Sequence, residues 1–186
     1  MSNITKLIII LCIGLILTGV SVYLIGGKRQ DYDAEVIIKA PVGQIFPYAV
    51  KPELKQLWMK RLDDQALTEG DAIEEGAFLK STRMLGGISE QFDDEVIRFQ
   101  ENEIISIKSR NKRLSSTTML KFKELGDGTK VTFKRVITFN GIDRFKTVFA
   151  EAPFQQELES DLDELTKLIE SNISDSGSSD TSENTN

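Results

Sequence analysis

The sequence predicts an α+β fold with an antiparallel sheet of about seven strands, two short helices after the first strand, a long C-terminal helix and one preceding transmembrane helix. Three observations lead to this prediction. Residues 7–25 form an uncharged apolar run. Residues 62–140 contain consecutive segments typical of strands, separated by short turns. Residues 142–171 carry apolar side chains at the spacing of an amphipathic helix.

The apolar run is long enough to cross a bilayer, because at about 1.5 Å per residue it spans roughly 30 Å. A cleaved signal peptide is the alternative, since Gly19 and Ser21 are small residues at the spacing of a cleavage site. The run continues past that site, so we expect an uncleaved, single-pass N-terminal anchor. Lys6 on one side nearly balances Lys28 and Arg29 on the other. The side of the membrane that carries the domain therefore stays open.

Turn-forming residues set the boundaries of the elements that follow. Alternating apolar and polar residues predict a first strand at 32–38. Pro41 suits the start of a helix that Pro47 keeps short or kinked, and a second short helix is expected at 53–60. The further strands are expected at 62–68, 78–85, 88–99, 103–110, 114–124 and 130–140. Glycine-rich links such as 86–87 and 126–128 indicate an antiparallel meander.

The last helix is predicted from the spacing of Leu158, Leu162, Leu165 and Ile169, which fall on one face. Beyond it the chain is rich in Ser, Asp, Asn, Thr and Glu, a composition typical of disorder. We therefore divide the chain into an N-terminal tail (1–6), a transmembrane anchor (7–25), a connector (26–31), a folded domain (32–171) and a disordered polar tail (172–186).

Composition excludes several classes of function. The chain has 186 residues, of which 40% are hydrophobic, as expected of one globular domain. Its formal charge of −6 argues against a nucleic-acid partner, because phosphate binding depends on clustered Lys and Arg. The same charge argues against broad docking to anionic headgroups.

Histidine is absent, and Cys12 in the apolar run is the only cysteine. This rules out Ser-His-Asp and Cys-His catalysis, imidazole metal ligands and a disulfide within the domain. We expect no cofactor and no metal. The carboxylates of the last helix, from Glu151 to Glu164, are expected to form a solvated face rather than a metal site.

Residues 36–53, VIIKAPVGQIFPYAVKPE, are followed by Trp58. This segment resembles the opening of the START-like superfamily, which includes the polyketide cyclase/dehydrase (SRPBCC) group. The shared features are an Ile-x-Ala-Pro motif, a Phe shortly after it, a Lys-Pro-Glu turn and a Trp. The resemblance implies a helix-grip fold over residues 32–171, in which a curved sheet grips the terminal helix around an apolar cavity. It implies no particular reaction.

Several residues are candidates for lining that cavity. They are Trp58, Met84, Phe133, Arg135, Ile137, Phe139, Phe145 and Phe149. Packing within the core is the alternative for the apolar ones. Trp58 in particular would then hold the short helices against the sheet.

Arg135 stands out because it shares the apolar parity of its strand with Phe133 and Ile137. That parity should face the interior, since a slip of one residue would bury Lys134 instead. A buried guanidinium needs a partner. Three arrangements meet this need: a bulge that turns Arg135 outward, an internal salt bridge, or a cavity in which Arg135 holds the acidic end of an apolar ligand.

Three functions are compatible with the sequence. The leading hypothesis is a non-catalytic, membrane-anchored module that binds a lipid-like or other apolar small molecule. A cyclase/dehydratase-type enzyme, using cavity carboxylate, Tyr or Arg groups, is the first alternative. The second alternative is a protein-interaction module with a filled interior. A sealed interior favours the last of these, a perturbed carboxylate opposite an Arg favours the enzyme, and an open apolar cavity favours the binding module.

Overall fold

The structure is a computed structural model that describes residues 3–25, 28–144 and 151–179, with the side chains of the last helix described for 154–174. The elements are α1 (Asn3–Ile25), β1 (Gln30–Ile38), α2 (Val42–Val50), α3 (Pro52–Lys55), β2 (Leu62–Leu67), β3 (Phe78–Leu85), β4 (Ile88–Gln100), β5 (Ile104–Arg110), β6 (Leu114–Leu125), β7 (Gly128–Phe139) and α4 (Glu151–Ser179).

All seven strands form one antiparallel sheet in the order β1-β7-β6-β5-β4-β3-β2. Consecutive hairpins build β2 to β7, and β1 closes the order by pairing with β7, from Gln30 opposite Ile137 to Ile38 opposite Thr129. Irregular pairing between Leu62 and Asp64, and between Val96 and Arg98, marks bulges where strands bend. The inner face of the bent sheet packs on α4 through Leu158, Leu162, Leu165 and Ile169, all buried. This is the predicted helix-grip fold.

The short helices cover one end of this core. α2 has nine residues and contains Pro47, as expected of a short helix. α3 ends at Lys55, earlier than predicted, and the chain turns before β2. In that turn Trp58 is buried, and its Nε1 donates a hydrogen bond of 2.9 Å to the backbone oxygen of Tyr48. Trp58 therefore links the turn after α3 to α2.

α4 extends to Ser179, so the first part of the predicted disordered tail is helical. A helix closes its own backbone hydrogen bonds, so it can continue beyond the residues that pack on the sheet. At Ser174 the hydroxyl also donates to the oxygen of Glu170, at 2.9 Å. The remainder of the predicted tail, from residue 180, lies outside the described residues.

α1 has no buried residue and is long and apolar enough to cross a membrane. A signal sequence near an N-terminus satisfies the same criteria. Its helix begins at Asn3, four residues before the predicted apolar run.

Candidate functional site

Two small cavities lie in the interior of the domain, and they adjoin. Cavity 1 has a volume of about 20 Å³ and cavity 2 about 40 Å³. Met59, Leu62 and Arg83 line both. A water needs roughly 10–15 Å³ of such space, whereas sites for drug-sized ligands measure roughly 300–1,000 Å³. In this conformation the interior is therefore nearly filled.

The walls combine apolar and charged side chains. Cavity 1 is lined by Ala49, Lys55, Met59, Leu62, Gln65, Arg83, Ile105, Ile107, Ser109, Thr118 and Leu120. Cavity 2 is lined by Met59, Arg61, Leu62, Arg83, Leu85, Phe92, Leu114, Ser116, Arg135, Ile137, Phe154, Glu157 and Asp161. The interior is thus amphipathic rather than wholly apolar.

A first polar cluster joins α3 to four strands beside cavity 1. Lys55 Nζ donates to Gln65 Oε1 at 3.1 Å, and Gln65 Nε2 donates to Asp94 Oδ2 at 2.8 Å. Arg83 donates to both carboxylate oxygens of Asp94, at 2.9 and 2.8 Å, and to Ser109 Oγ at 3.0 Å. Burial lowers the pKa of Lys55 to about 8, although Asp94 opposes the shift. Burial also lowers the pKa of Arg83.

A second polar cluster joins β7 to α4 beside cavity 2. Arg135 Nη1 donates to Glu157 Oε1 at 2.7 Å, and Arg61 Nη1 lies 2.9 Å from Glu157 Oε2. Asp161, which is 1% exposed, accepts a bond of 3.2 Å from the backbone N–H of Lys60. Burial raises the pKa of Asp161 to about 6, with the Lys60 bond and the charge of Arg135 opposing the shift.

Five buried polar atoms have no hydrogen-bond partner among the described residues. They are Ser81 Oγ, Arg83 Nε, Arg135 Nε, Glu157 Oε2 and Asp161 Oδ2. Of these, Glu157 Oε2 is still ion-paired with Arg61. Arg83, Arg135 and Asp161 all line cavity 2. Because buried polar atoms are normally paired, this cavity is suited to a polar group.

The arrangement offers two kinds of chemistry. Arg83 and Arg135 are already bound to Asp94 and Glu157 through their Nη atoms. The Nε–H group of each has no partner in the described part of the chain, so it can donate a hydrogen bond to an acidic or other acceptor group. A carboxyl with a pKa near 6 exchanges a proton close to neutral pH, so Asp161 can serve as an acid or a base.

Two of the predicted site residues, Arg135 and Ile137, line cavity 2. The pairing of β7 with both neighbours is continuous through Arg135, so no bulge turns it outward. An internal salt bridge with Glu157 holds its Nη1, while its Nε has no partner among the residues that the structure describes. Phe133, Phe139 and Trp58 are buried in the core and do not line either cavity.

Met84 was predicted to line the cavity, but the structure places it elsewhere. It alternates with Leu79, Ser81 and Arg83, which point inward, and it is partly exposed on the outer face of β3. It therefore cannot line the interior. Phe145 and Phe149 lie outside the described residues.

Sequence reasoning missed most of the charged residues at the site. Glu157 and Asp161 were expected on a solvated face, but both point into the interior. Arg83 and Asp94 share the inward parities of β3 and β4, so the signal that identified Arg135 could have found them. Lys55 lies in a helix of only four residues, which is too short to show a periodic pattern.

The sequence matches the model of a family described as "Polyketide cyclase / dehydrase and lipid transport" over residues 29–170. The chain belongs to this family. As a member of the polyketide cyclase / dehydrase and lipid transport family it has the ligand-binding fold that the opening residues predicted. No curated protein matches the chain significantly.

Solved structures share this fold at low sequence identity. An uncharacterized protein from Rhizobium leguminosarum is 21% identical with a TM-score of 0.61, covering 77% of this chain and 95% of its own. A protein of unknown function from Staphylococcus aureus is 12% identical with a TM-score of 0.62, over 79% and 97% of the two chains. A protein from Mesorhizobium loti is 14% identical with a TM-score of 0.58, over 76% and 97%. These likenesses concern the fold alone.

Proposed function

We propose that this protein is a membrane-anchored binding module of the polyketide cyclase / dehydrase and lipid transport family. Its ligand is an apolar small molecule with an acidic or hydrogen-bonding head group, held between the sheet and α4. One observation carries the proposal: two adjoining cavities share Met59, Leu62 and Arg83, and the walls offer apolar surface together with buried guanidinium groups.

Ligand binding requires the two cavities to merge. Met59 is unbranched and flexible, so it can change rotamer with little strain. The apolar body of a ligand would then extend towards Ile105, Ile107 and Leu120 in cavity 1. Its head group would meet the Nε atoms of Arg83 and Arg135.

The anchor in this proposal is α1. Its apolar surface surrounds the whole helix, as a span in contact with lipid requires. A tether of this kind would keep the domain where apolar molecules are concentrated.

Native mass spectrometry tests the proposal on the full-length protein in detergent after exposure to a lipid extract. We expect a bound species in the wild type and its loss in Met59→Trp, because the larger side chain fills the shared wall of the cavities. Met84→Trp is the matched control, since the same substitution on the outer face of β3 should leave binding intact. Equal lipid retention by wild type and Met59→Trp, with both folded, would contradict an internal site.

Two other functions are each favoured by one observation. The raised pKa of Asp161 beside Arg135 favours a cyclase or dehydratase, in which Asp161 moves a proton. The small volume of the cavities favours an interaction module. In the mass spectrometry experiment, an enzyme would release a ligand changed in mass, for example by loss of water. An interaction module would bind no small molecule at all.

A further inference from the structure

The sheet has two ends, and the chain enters it at one of them. β1 begins at Gln30 opposite Ile137, near the end of β7, and the turns 86–87, 111–113 and 140–144 lie at this same end. Arg113 of the 111–113 turn pairs with Glu90 of β4 at 2.6 Å and with Asp143 of the 140–144 segment at 3.0 Å, so it holds these parts together. We name this the anchor end. The turns 68–77, 101–103 and 126–127 lie at the opposite, far end.

The anchor end must lie close to the membrane if α1 crosses it. Gln30 is five residues beyond Ile25, the last residue of α1. Five residues of extended chain reach at most about 18 Å. This limit follows from chain connectivity and is independent of the angle between α1 and the sheet.

Charge is distributed unevenly between the two ends. At the far end, segment 68–77 contains Glu69, Asp71, Glu74 and Glu75 with no basic residue, and segment 101–103 adds two further glutamates. At the anchor end, the basic residues of segments 28–31, 111–113 and 140–144 outnumber the acidic ones: they are Lys28, Arg29, Lys112, Arg113 and Arg144 against Asp31 and Asp143. Glu90 of β4 adds one further carboxylate, which pairs with Arg113. The net charge of −6 therefore does not describe the surface nearest to α1.

The anchor end also exposes apolar side chains. Ile88 is 59% exposed and Ile142 is 79% exposed. They flank Arg113, which pairs with both Glu90 and Asp143. Like Phe92, which lines cavity 2, Ile88 is on the side of β4 that faces the interior. Because Ile88 is the first residue of β4, it lies at the rim of the concave face.

We infer that the anchor end rests on the bilayer that α1 crosses, with Ile88 and Ile142 among the lipid headgroups. Anionic lipid attracts the basic turns and repels the carboxylates of the far end, so the charge distribution orients the domain. Leu85, Phe92 and Leu114 of cavity 2 belong to this end of the sheet. An apolar ligand would therefore pass between bilayer and cavity without crossing water. The inference rests on the anchor role of α1 in the proposed function.

Site-specific fluorescence tests the inference on the full-length chain in vesicles of phosphatidylcholine and phosphatidylglycerol. Cys12, the only cysteine, is replaced by Ser, and Ile88→Cys, Ile142→Cys or Phe78→Cys then carries a polarity-sensitive fluorophore. Phe78 is the matched control, because it is 54% exposed and lies at the far end of the hairpin that ends in Ile88. We expect a blue-shifted emission, and quenching by spin-labelled lipid, at positions 88 and 142 but not at 78.

Charge reversal provides a second comparison. Lys112→Glu at the anchor end should reduce the quenching at position 88, whereas Lys123→Glu on the far half of β6 should not. Equal emission and quenching at positions 88, 142 and 78, in a chain that floats with the vesicles, would overturn the inference while leaving the anchor intact. A folded chain that fails to float would show that the anchor itself is wrong, and the docking with it. Ligand binding is measured separately by mass spectrometry and does not enter this result.

Discussion

Arg135 and Glu157 show what strand periodicity predicts at the level of single residues and what it leaves open. Alternation along β7 predicted that Arg135 faces the interior, because the parity of a strand residue fixes its face. Its partner could not be predicted in the same way. Glu157 lies on α4, and the rotation of a helix over a sheet depends on the whole interface.

Removing one partner of the ion pair between Arg135 and Glu157 should strongly destabilise the folded protein. In Glu157→Met the buried guanidinium of Arg135 loses its carboxylate, so we expect the free energy of unfolding to fall by roughly 3–5 kcal/mol. The double variant Arg135→Met, Glu157→Met should recover most of this loss, since two apolar side chains can replace a buried pair. Denaturant unfolding measures both changes.

An exposed ion pair provides the control. Glu35 lies 2.7 Å from Lys130 on the outer surface of the sheet. Glu35→Met should lower the free energy of unfolding only slightly, because solvent screens such pairs. A loss of similar size in Glu157→Met would mean that Arg135 does not depend on Glu157.

Asp161 makes stability depend on pH. Its folded pKa of about 6 lies above the ordinary aspartate pKa of 3.8, so the folded state binds the proton more tightly than the unfolded state. The contribution of Asp161 to stability therefore falls as the pH rises from about 4 to about 6, and it stays low above that range. Asp161→Asn should stabilise the protein at pH 7 by up to about 3 kcal/mol and remove this pH dependence. Unchanged unfolding curves between pH 4 and pH 7 would contradict the raised pKa.

At the scale of elements, the strands could be predicted closely and the ends of the helices could not. Glycines made two links recognisable. Gly86 and Gly87, in the turn between β3 and β4, both have positive φ. At Gly128, the start of β7, a side chain would collide with the backbone oxygen of Ile38. The C-terminal end of α4 has no such signal. It extends to Ser179 on its own hydrogen bonds, past Ile169, the last buried residue among the side chains that the structure describes.

The grip of the sheet on α4 can be measured at Leu162. This residue is buried against the inner face, so Leu162→Ala should lower the free energy of unfolding by roughly 2–5 kcal/mol through lost burial and a new cavity. Leu57→Ala is the control, because Leu57 is exposed in the turn after α3. A loss at Leu162 no larger than the loss at Leu57 would mean that the helix is not held by the sheet.

At the scale of the whole molecule, the order of the elements and the opening motif predicted the family, whereas the pairing of charged groups in the interior could not be predicted. The cavities depend on how Lys55 meets Gln65, Arg83 meets Asp94, and Arg135 meets Glu157, from elements that lie apart in sequence. The uneven distribution of charge between the two ends of the sheet could not be predicted either, because a net charge carries no information on position. Only the pairing of the strands places the acidic turns together at one end.

Quenching of Trp58 tests the internal site most directly. Trp58 is the only tryptophan; it is buried next to Met59 and its ring centroid lies 5.9 Å from that of Phe133. Titration of the full-length protein with a brominated fatty acid should quench Trp58 saturably, and the unbrominated acid should reverse the effect. In folded Arg135→Met the quenching should need several-fold more ligand. If Trp58 shows no saturable quenching in the folded wild type, the domain does not hold an acidic apolar ligand in its interior.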